Sequence, residues 1–414
     1  MDTESIGEYS VRCIREWGDF VRLKPEWNEL AALHPWGAYL SHDWFLQWWK
    51  SFGQDQFLIC QIYNRQQTLG IIPLRRGWRR GARRLALMAN EHTPRMDCLC
   101  RPEAARNVLG CMCRHLTRHH AWDVFDLAQL PRRSAHLFCI MAGEAGLHSY
   151  RLSSRQQRGV DLDRPWADVE AGFHLSLRHN LRRRLRLLRS LGRLSLVVQT
   201  GCGGLYAMLR ECFAVEASGW KGRAHTAIGQ NPAVERFYRR MAFRLAASGQ
   251  LRLYGLRLGE KLIAFEFCLW NGNRLGCLKI GYEESLHRYS PGSVLRAWML
   301  QLAHRQGCAG YDFLGDDAVW KAEWGQSVDE LMCVRLYNRT LAGRALQMRG
   351  ERQQGAAFAA AQAAAGEAGQ NGRGAAEGAA GGMLIAFGSR QVEHPEPLNT
   401  AEAEDLVSTE VNHR

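Results

Sequence analysis

Residues 279–321 leave this chain few ways to fold. They read as a strand, a tight turn at Tyr289-Ser290-Pro291-Gly292-Ser293, an amphipathic helix, and a second strand ending Tyr311-Asp312-Phe313-Leu314-Gly315-Asp316-Asp317, with Lys321 close behind. In the helix, Val294, Leu295, Trp298, Met299 and Leu302 share one face, and Gly307 stops it. A turn that opens directly into a helix presents free backbone N–H groups at the positive end of the helix dipole. That arrangement suits a phosphate or pyrophosphate. Strands alternating with helices predict an α/β (α+β) protein.

Three blocks follow along the 414 residues. The first, 8–150, predicts helices over 27–33 and 44–51, the latter capped by Ser41-His42-Asp43 and carrying Trp44, Phe45, Trp48 and Trp49 on one wide apolar face for the core. Strands over 57–63 and 68–74 come next, with Pro73 marking a strand end or an edge. A basic turn over 75–84, a strand near Leu85, a helix over 104–119 and a strand over 124–127 complete it.

The second block, 155–345, opens with a helix over 173–191. Leu177, Leu181, Leu185 and Leu188 form its apolar stripe, and Arg178, Arg182, Arg183, Arg186 and Arg189 fill much of the rest. A strand over 194–199, helices over 205–217 and 232–248, a hairpin over 251–270 and a strand over 274–282 lead into the turn at Tyr289. The two blocks share an order of elements, which fits a divergent internal duplication. The third block, 351–414, is first Ala-, Gly- and Gln-rich and then acidic, and it predicts a low-complexity disordered tail.

The formal charge of +13 allows nucleic acid, an anionic membrane or polymer, or a phosphorylated ligand as partner. The N-terminus carries Asp2, Glu4 and Glu8 and no apolar core of a secretory signal, so the 13 Cys are expected as reduced thiols in a cytoplasmic protein. Cys98-x-Cys100 and Cys111-x-Cys113 lack metal-ligand spacing, and no metal is expected. No apolar run reaches the roughly 18 residues a membrane span needs. A G-x-S-x-G elbow, a Walker loop and a dinucleotide fingerprint are all missing.

Several segments, taken in order, resemble one family. They are Ser41-His42-Asp43-Trp44 through Trp48; Gly70-Ile71-Ile72-Pro73-Leu74; the Arg-rich helix over 178–191; Glu216-Ala217-Ser218-Gly219-Trp220-Lys221; Tyr289-Ser290-Pro291-Gly292; Asp312-Phe313-Leu314-Gly315-Asp316; and Lys321 with Trp324. Over about residues 10–340 the chain resembles GNAT-fold acetyltransferases of the cellulose-biosynthesis-associated type. These are related to Fem-type peptidyltransferases with two GNAT-like halves in one chain. The resemblance implies two mixed-sheet halves flanked by helices, an acyl-CoA donor such as acetyl-CoA, and an amine or hydroxyl acceptor. By the same resemblance the acceptor is expected to be a small molecule or a saccharide of envelope or exopolysaccharide biosynthesis. The chain departs from simpler GNAT enzymes in lacking their Q/R-x-x-G-x-G/A turn.

Backbone N–H groups from Gly292 to Val294, with the Ser290 or Ser293 hydroxyl, are either a pyrophosphate cradle or an ordinary Pro-Gly turn with a capping Ser, and the resemblance favours the cradle. Acyl transfer from a thioester needs a base for the acceptor, a polarised carbonyl and a proton for the thiolate. Asp312, Asp316 and Glu266 are candidate bases. Asp312 is either the base or a strand-end carboxylate, and Glu266, in the apolar run Phe265-Glu266-Phe267, is either a base of raised pKa or exposed on one sheet face. Tyr289 or Tyr311 could protonate the thiolate or simply pack. Trp220 and Lys221, with Lys321 and Trp324, are candidate acceptor contacts or packing and surface residues. Two other functions fit the same features: aminoacyl transfer from charged tRNA, with the Arg clusters on phosphates, and a non-catalytic scaffold.

Overall fold

The computed structural model describes residues 3–6, 8–65, 67–315 and 317–350. Asp316 and the tail expected over 351–414 lie outside the described residues. The chain begins with β1 (Thr3–Ile6), β2 (Tyr9–Ile14), α1 (Trp17–Arg22), α2 (Lys24–Ala32), α3 (His42–Phe52), β3 (Gln56–Asn64), β4 (Gln67–Arg79) and β5 (Ala82–Leu87). It continues with β6 (Leu99–Cys100), α4 (Ala105–His119), β7 (Val124–Pro131), α5 (Arg132–Glu144), β8 (His148–Asp161), α6 (Trp166–Ala171), α7 (Leu175–Arg189) and β9 (Leu194–Gln199). Then come α8 (Leu205–Ala217), α9 (Trp220–Arg223), α10 (Pro232–Ala247), β10 (Leu251–Leu258), β11 (Lys261–Asn271) and β12 (Arg274–Tyr282). The last are α11 (Pro291–Arg305), β13 (Gly310–Asp312), α12 (Val319–Ala322) and β14 (Gln326–Tyr337).

One run of elements occurs twice. From β2 it is strand, helices α1 to α3, meander β3-β4-β5, helix α4, strand β7, helix α5, strand β8; from β9 it is strand, helices α8 to α10, meander β10-β11-β12, helix α11, strand β13, helix α12, strand β14. In each run the third meander strand pairs in parallel with the strand after the helix, β5 with β7 and β12 with β13. Among the described residues the strands form one 14-stranded mixed sheet, ordered β1-β2-β3-β4-β5-β7-β14-β8-β13-β12-β11-β10-β9, with β6 on β4. The final strands are exchanged: β8 lies against β13 of the second run, and β14 against β7 of the first.

Local chemistry explains the helices that position the site. The Ser41 hydroxyl accepts the Trp44 N–H and caps α3, and the Asn231 side chain accepts the N–H groups of Ala233 and Val234 ahead of α10. Trp44 and Phe45 are fully buried, and Trp44 and Phe52 meet Phe237 of α10 with ring centroids 5.4 and 5.2 Å apart. Each such ring contributes about 2–3 kcal/mol by leaving water. The aromatic face of α3 is therefore core, and it joins the two runs. A second core lies between the other sheet face and α7 and α11, around Leu177, Leu181, Leu188, Leu295 and Met299.

The structure departs from the sequence reading in three places. The basic stretch is not one long turn: β4 runs on to Arg79 and reverses at Arg80-Gly81, both with positive φ. Paired strands tolerate these charges because carboxylates meet them, Asp55 at 3.1 Å from Arg75, Asp123 at 2.8 Å from Arg83 and Asp126 at 2.9 Å from Arg84. Pro73 sits inside β4 rather than at its end. It falls where the neighbour on one side changes from β6, paired at Gly70–Ile71, to β5, paired from Leu74. The strands β8 and β14 were not expected, and residues 150–155, expected to link two blocks, lie within β8.

Candidate active site

The strands β12 and β13 pair at three positions only: Arg274 with Gly310, Leu275 with Tyr311, and Gly276 with Asp312. Beyond Gly276, β12 continues to Tyr282, whereas the chain after β13 stays with β8 through a Phe313 N–H bond to the Arg158 carbonyl and then turns at Leu314 and Gly315, both with positive φ. A fork opens between the two strands, at the carboxyl ends where open α/β sheets hold ligands. The ladder between β11 and β12 is interrupted at the same level. Phe267 faces Lys279 and Cys268 faces Cys277, which leaves Leu278 as an extra residue. Such a bulge frees a backbone group from the ladder and turns it toward a ligand.

The mouth of the fork is the first turn of α11, which begins at Pro291 rather than at Val294 as the apolar pattern suggested. Ser290, in the left-handed region at φ 46°, is the cap, and its carbonyl takes the N–H groups of Ser293 at 3.0 Å and Val294 at 3.3 Å. Pro291 has no N–H, and the Gly292 N–H has no acceptor among the described residues. Among the described residues the Ser290 hydroxyl reaches only the His287 carbonyl, at 3.5 Å. A Cβ at Gly292 would meet the Tyr282 ring at 3.8 Å, ordinary contact, so the fold itself does not require glycine there.

The corresponding fork between β5 and β7 is filled by its own connection. There the Met96 N–H bonds the Gln129 carbonyl and the Met88 N–H bonds the Pro73 carbonyl, each at 3.0 Å, and Thr93, Arg95 and Met96 are buried. The two runs thus differ at their equivalent openings.

The expected residues fall into four places. Ser290, Gly292 and Ser293 line the mouth, while Val294 is buried beneath it. Asp312 ends β13 at the base of the fork and is fully buried. One carboxylate oxygen accepts from Arg95 at 2.5 Å and the other from the Leu314 N–H at 2.8 Å, so this acid is held as an ion pair. Glu266 is not on an exposed face. It lies 2.5 Å from the Arg296 guanidinium, also accepts the Tyr311 hydroxyl at 2.7 Å, and is 1 % exposed. Burial holds that phenol protonated, well above its usual pKa. Trp324 is buried against Phe173 and near Arg296, and Lys321 donates to the Leu314 carbonyl at 2.6 Å, clamping the turn that opens the fork.

Tyr289 is half-buried beside the mouth, its hydroxyl accepting from Arg288 at 2.6 Å. Lys221 is engaged from within: it donates to Glu216 at 2.7 Å and to the Ile280 carbonyl of β12 at 3.1 Å, and Glu216 also accepts the Ile228 N–H. Trp220 alone of this group is open to solvent, at 58 % exposure.

Sequence reasoning missed the groups on the other face of β12. Lys279 flanks the bulge with its ammonium 5.1 Å from the Tyr238 ring, and burial lowers its pKa. His92, from the connection that fills the first fork, stacks on Phe52 and meets the edge of Tyr238. Burial, and then the Lys279 charge, lower its pKa to about 4, so the imidazole is neutral at pH 7; its Nδ1 is buried with no hydrogen-bond partner. Nothing in the spacing of residues 92 and 279 announces this meeting. Cavities of about 660 and 430 Å³, both reaching Arg274, lie at the opposite, closed end of β12 and lack the helix terminus and bulge that mark the fork.

Residues 176–322 match the family model described as an acetyltransferase (GNAT) domain. This chain carries a GNAT acetyltransferase domain. The β12–α11–β13 unit lies wholly within the matched segment, and the enzyme class is acyltransferase. Among curated proteins, none matches. Similar solved structures include the C-terminal domain of a protein described as a lysylphosphatidylglycerol synthetase from Agrobacterium fabrum, at a TM-score of 0.50 and 12% identity over 79% of this chain and 95% of that one. FemX is similar at a TM-score of 0.50 and 11% identity, covering 80% of this chain and 97% of that one. A conserved protein of unknown function from Bacteroides thetaiotaomicron VPI-5482 reaches 0.51 and 11% identity, covering 80% and 100%. At these identities the likeness concerns the fold, and it extends over both runs of elements. Among the described residues, no helix is long and apolar enough to cross a membrane.

Proposed function

We propose that the chain moves an acyl group from acyl-CoA, held in the β12–β13 fork, to a hydroxyl or amine of a saccharide used in envelope or exopolysaccharide synthesis. The observation that carries this reading is the conjunction at the fork: a parallel pair that parts after three residue pairs, a bulge at Leu278, and the first turn of α11 at the mouth. The pyrophosphate meets the Gly292 N–H and the helix terminus, and the thioester carbonyl meets the backbone freed by the bulge. The acceptor approaches from the face of β12 that carries Lys279, where neutral His92 is the side chain available to take its proton. In this proposal Asp312 and Glu266 position the fork rather than react, and the division into halves at 8–150 and 155–345 follows the two runs with their last strands exchanged.

A second reading, aminoacyl transfer from charged tRNA, is favoured by one observation. Arg183 and Arg186 of α7 are exposed to solvent, as an RNA-facing helix would require. Thiol release from acetyl-CoA, followed with a panel of hexoses, amino sugars and short β-glucans, separates the two. Acceptor-dependent thiol release supports the acyl-CoA reading. No release with any acceptor, together with transfer from aminoacyl-tRNA that falls steeply with salt, supports the other.

A further inference from the structure

Four thiol and imidazole groups meet in the first half of the molecule, far from the fork. Cys13 of β2 and Cys60 of β3 are cross-strand partners, His115 lies about one turn before the end of α4, and His120 follows its end. All four are buried, at 7, 0, 1 and 6 % exposure. The Cys13 Sγ is 3.3 Å from Nε2 of His115, 3.5 Å from Nε2 of His120 and 3.9 Å from the Cys60 Sγ. The ligating atoms of Cys13, His115 and His120 all lie within 4.8 Å of one another.

These separations have a meaning. A tetrahedral zinc with Zn–S of about 2.3 Å and Zn–N of about 2.0–2.1 Å has S···N edges of about 3.6 Å and an S···S edge of about 3.8 Å. Hydrogen bonding alone gives a buried thiol no need of two imidazoles converging through the same nitrogen. The second group of metal-ligand type, Glu266 with Cys268 and Cys277, already has a cation against its carboxylate in Arg296.

We infer that Cys13, Cys60, His115 and His120 form a structural zinc site that staples β2 and β3 to the end of α4. Cys13 and the two imidazoles supply three ligands, and Cys60 turns about its Cα–Cβ bond to supply the fourth. Binding through Nε2 places the proton of His120 on Nδ1; the Arg15 guanidinium, now 3.4 Å from that atom, is exposed and turns to solvent. The absence of an open ligand position makes the site structural, and thiolate with imidazole favours zinc over the harder magnesium or calcium. The expectation of no metal came from spacing, and spacing could not find this site. Its ligands are spread over 107 residues and meet only when two strands pair under a helix.

The test uses the full chain without a histidine tag, loaded with zinc, dialysed, and assayed for metal by mass spectrometry, then exchanged for Co²⁺. We expect close to one zinc per chain, at least tenfold less in Cys13→Ser, and no change in Cys202→Ser, an exposed control. Cobalt is expected to give the visible bands of a tetrahedral ion and a thiolate charge-transfer band that falls by about half in Cys60→Ser. Because the wild-type cobalt spectrum needs no variant to fold, it decides the matter alone. Trace zinc with a weak octahedral cobalt spectrum, full zinc retention in Cys13→Ser, or a Cys13–Cys60 disulfide in the purified chain would overturn the inference; an unchanged band in Cys60→Ser would overturn the four-ligand assignment.

Discussion

Asp312 distinguishes two accounts of the fork, and replacing its partner is the sharper test. The Arg95 guanidinium is 1 % exposed, lies 2.5 Å from Asp312 and 2.7 Å from Asp329, and stacks 3.8 Å over the Trp36 ring. It reaches from the connection between β5 and β6 across to the end of β13, so it ties the first run of elements to the fork of the second. Arg95→Met leaves the buried Asp312 carboxylate with one N–H donor, from Leu314. Removing one partner of a buried pair costs about 3–5 kcal/mol, because the remaining charge has lost its compensation. Asp312→Asn keeps the acceptor toward Leu314 and leaves the guanidinium with Asp329, which is partly solvated at 29 % exposure; about 2 kcal/mol is expected. With both changes no buried charge is stranded, so the double variant should fall short of the sum by about 2 kcal/mol. Urea unfolding followed by tryptophan fluorescence measures all three. Additive losses below about 1 kcal/mol each, with acyl transfer abolished in Asp312→Asn at unchanged stability, would refute the structural role and restore Asp312 as the base.

Two further predictions rest on single contacts. Lys221→Met strands the buried Glu216 carboxylate and should cost about 3 kcal/mol, whereas Trp220→Ala, at an exposed position, should cost under about 1 kcal/mol; a raised KM in Lys221→Met with no change in the urea midpoint would show that the lysine serves the acceptor instead. His92 should make folding pH-dependent, because its pKa drops from about 6.5 unfolded to about 4 in the fold. Between these values the unfolded chain binds more protons, so stability falls as pH falls from 6.5 toward 4, by up to about 3 kcal/mol. The stability difference between pH 7.5 and pH 4.5 should shrink in His92→Gln by about 2 kcal/mol, and equal pH dependence in both proteins would contradict its burial.

The parts of the fold written in local pattern were legible in sequence. The hairpin across Gly259, the strand over 274–282 and the helix over 205–217 carry their own turn residues and periodicity, and they stand where the pattern put them. β8 was not legible. Its sequence, HSYRLSSRQQRGVD, shows no apolar alternation, because residues 152–154 and 156 are exposed rather than packed on a core, and the strand is held by backbone pairing to β13 and β14. The placement of Ser290, Gly292 and Ser293 at the start of a helix was legible because a helix N-terminus is a local feature. The partners of Asp312 and Glu266 were not, because Arg95 and Arg296 lie 217 and 30 residues away and only the folded chain brings them together.

The central claim is that acyl-CoA occupies the fork with its pyrophosphate on the first turn of α11. The most direct measurement is calorimetric titration of acetyl-CoA into wild type and into Gly292→Val. The variant is informative because the nearest atom to a Cβ at this position is 3.8 Å away, so the added side chain obstructs the ligand more than the fold. Binding by wild type, with at least a tenfold weaker dissociation constant in a variant of unchanged urea midpoint, is the predicted result. Equal affinity in the two proteins, or no heat from either, would contradict it.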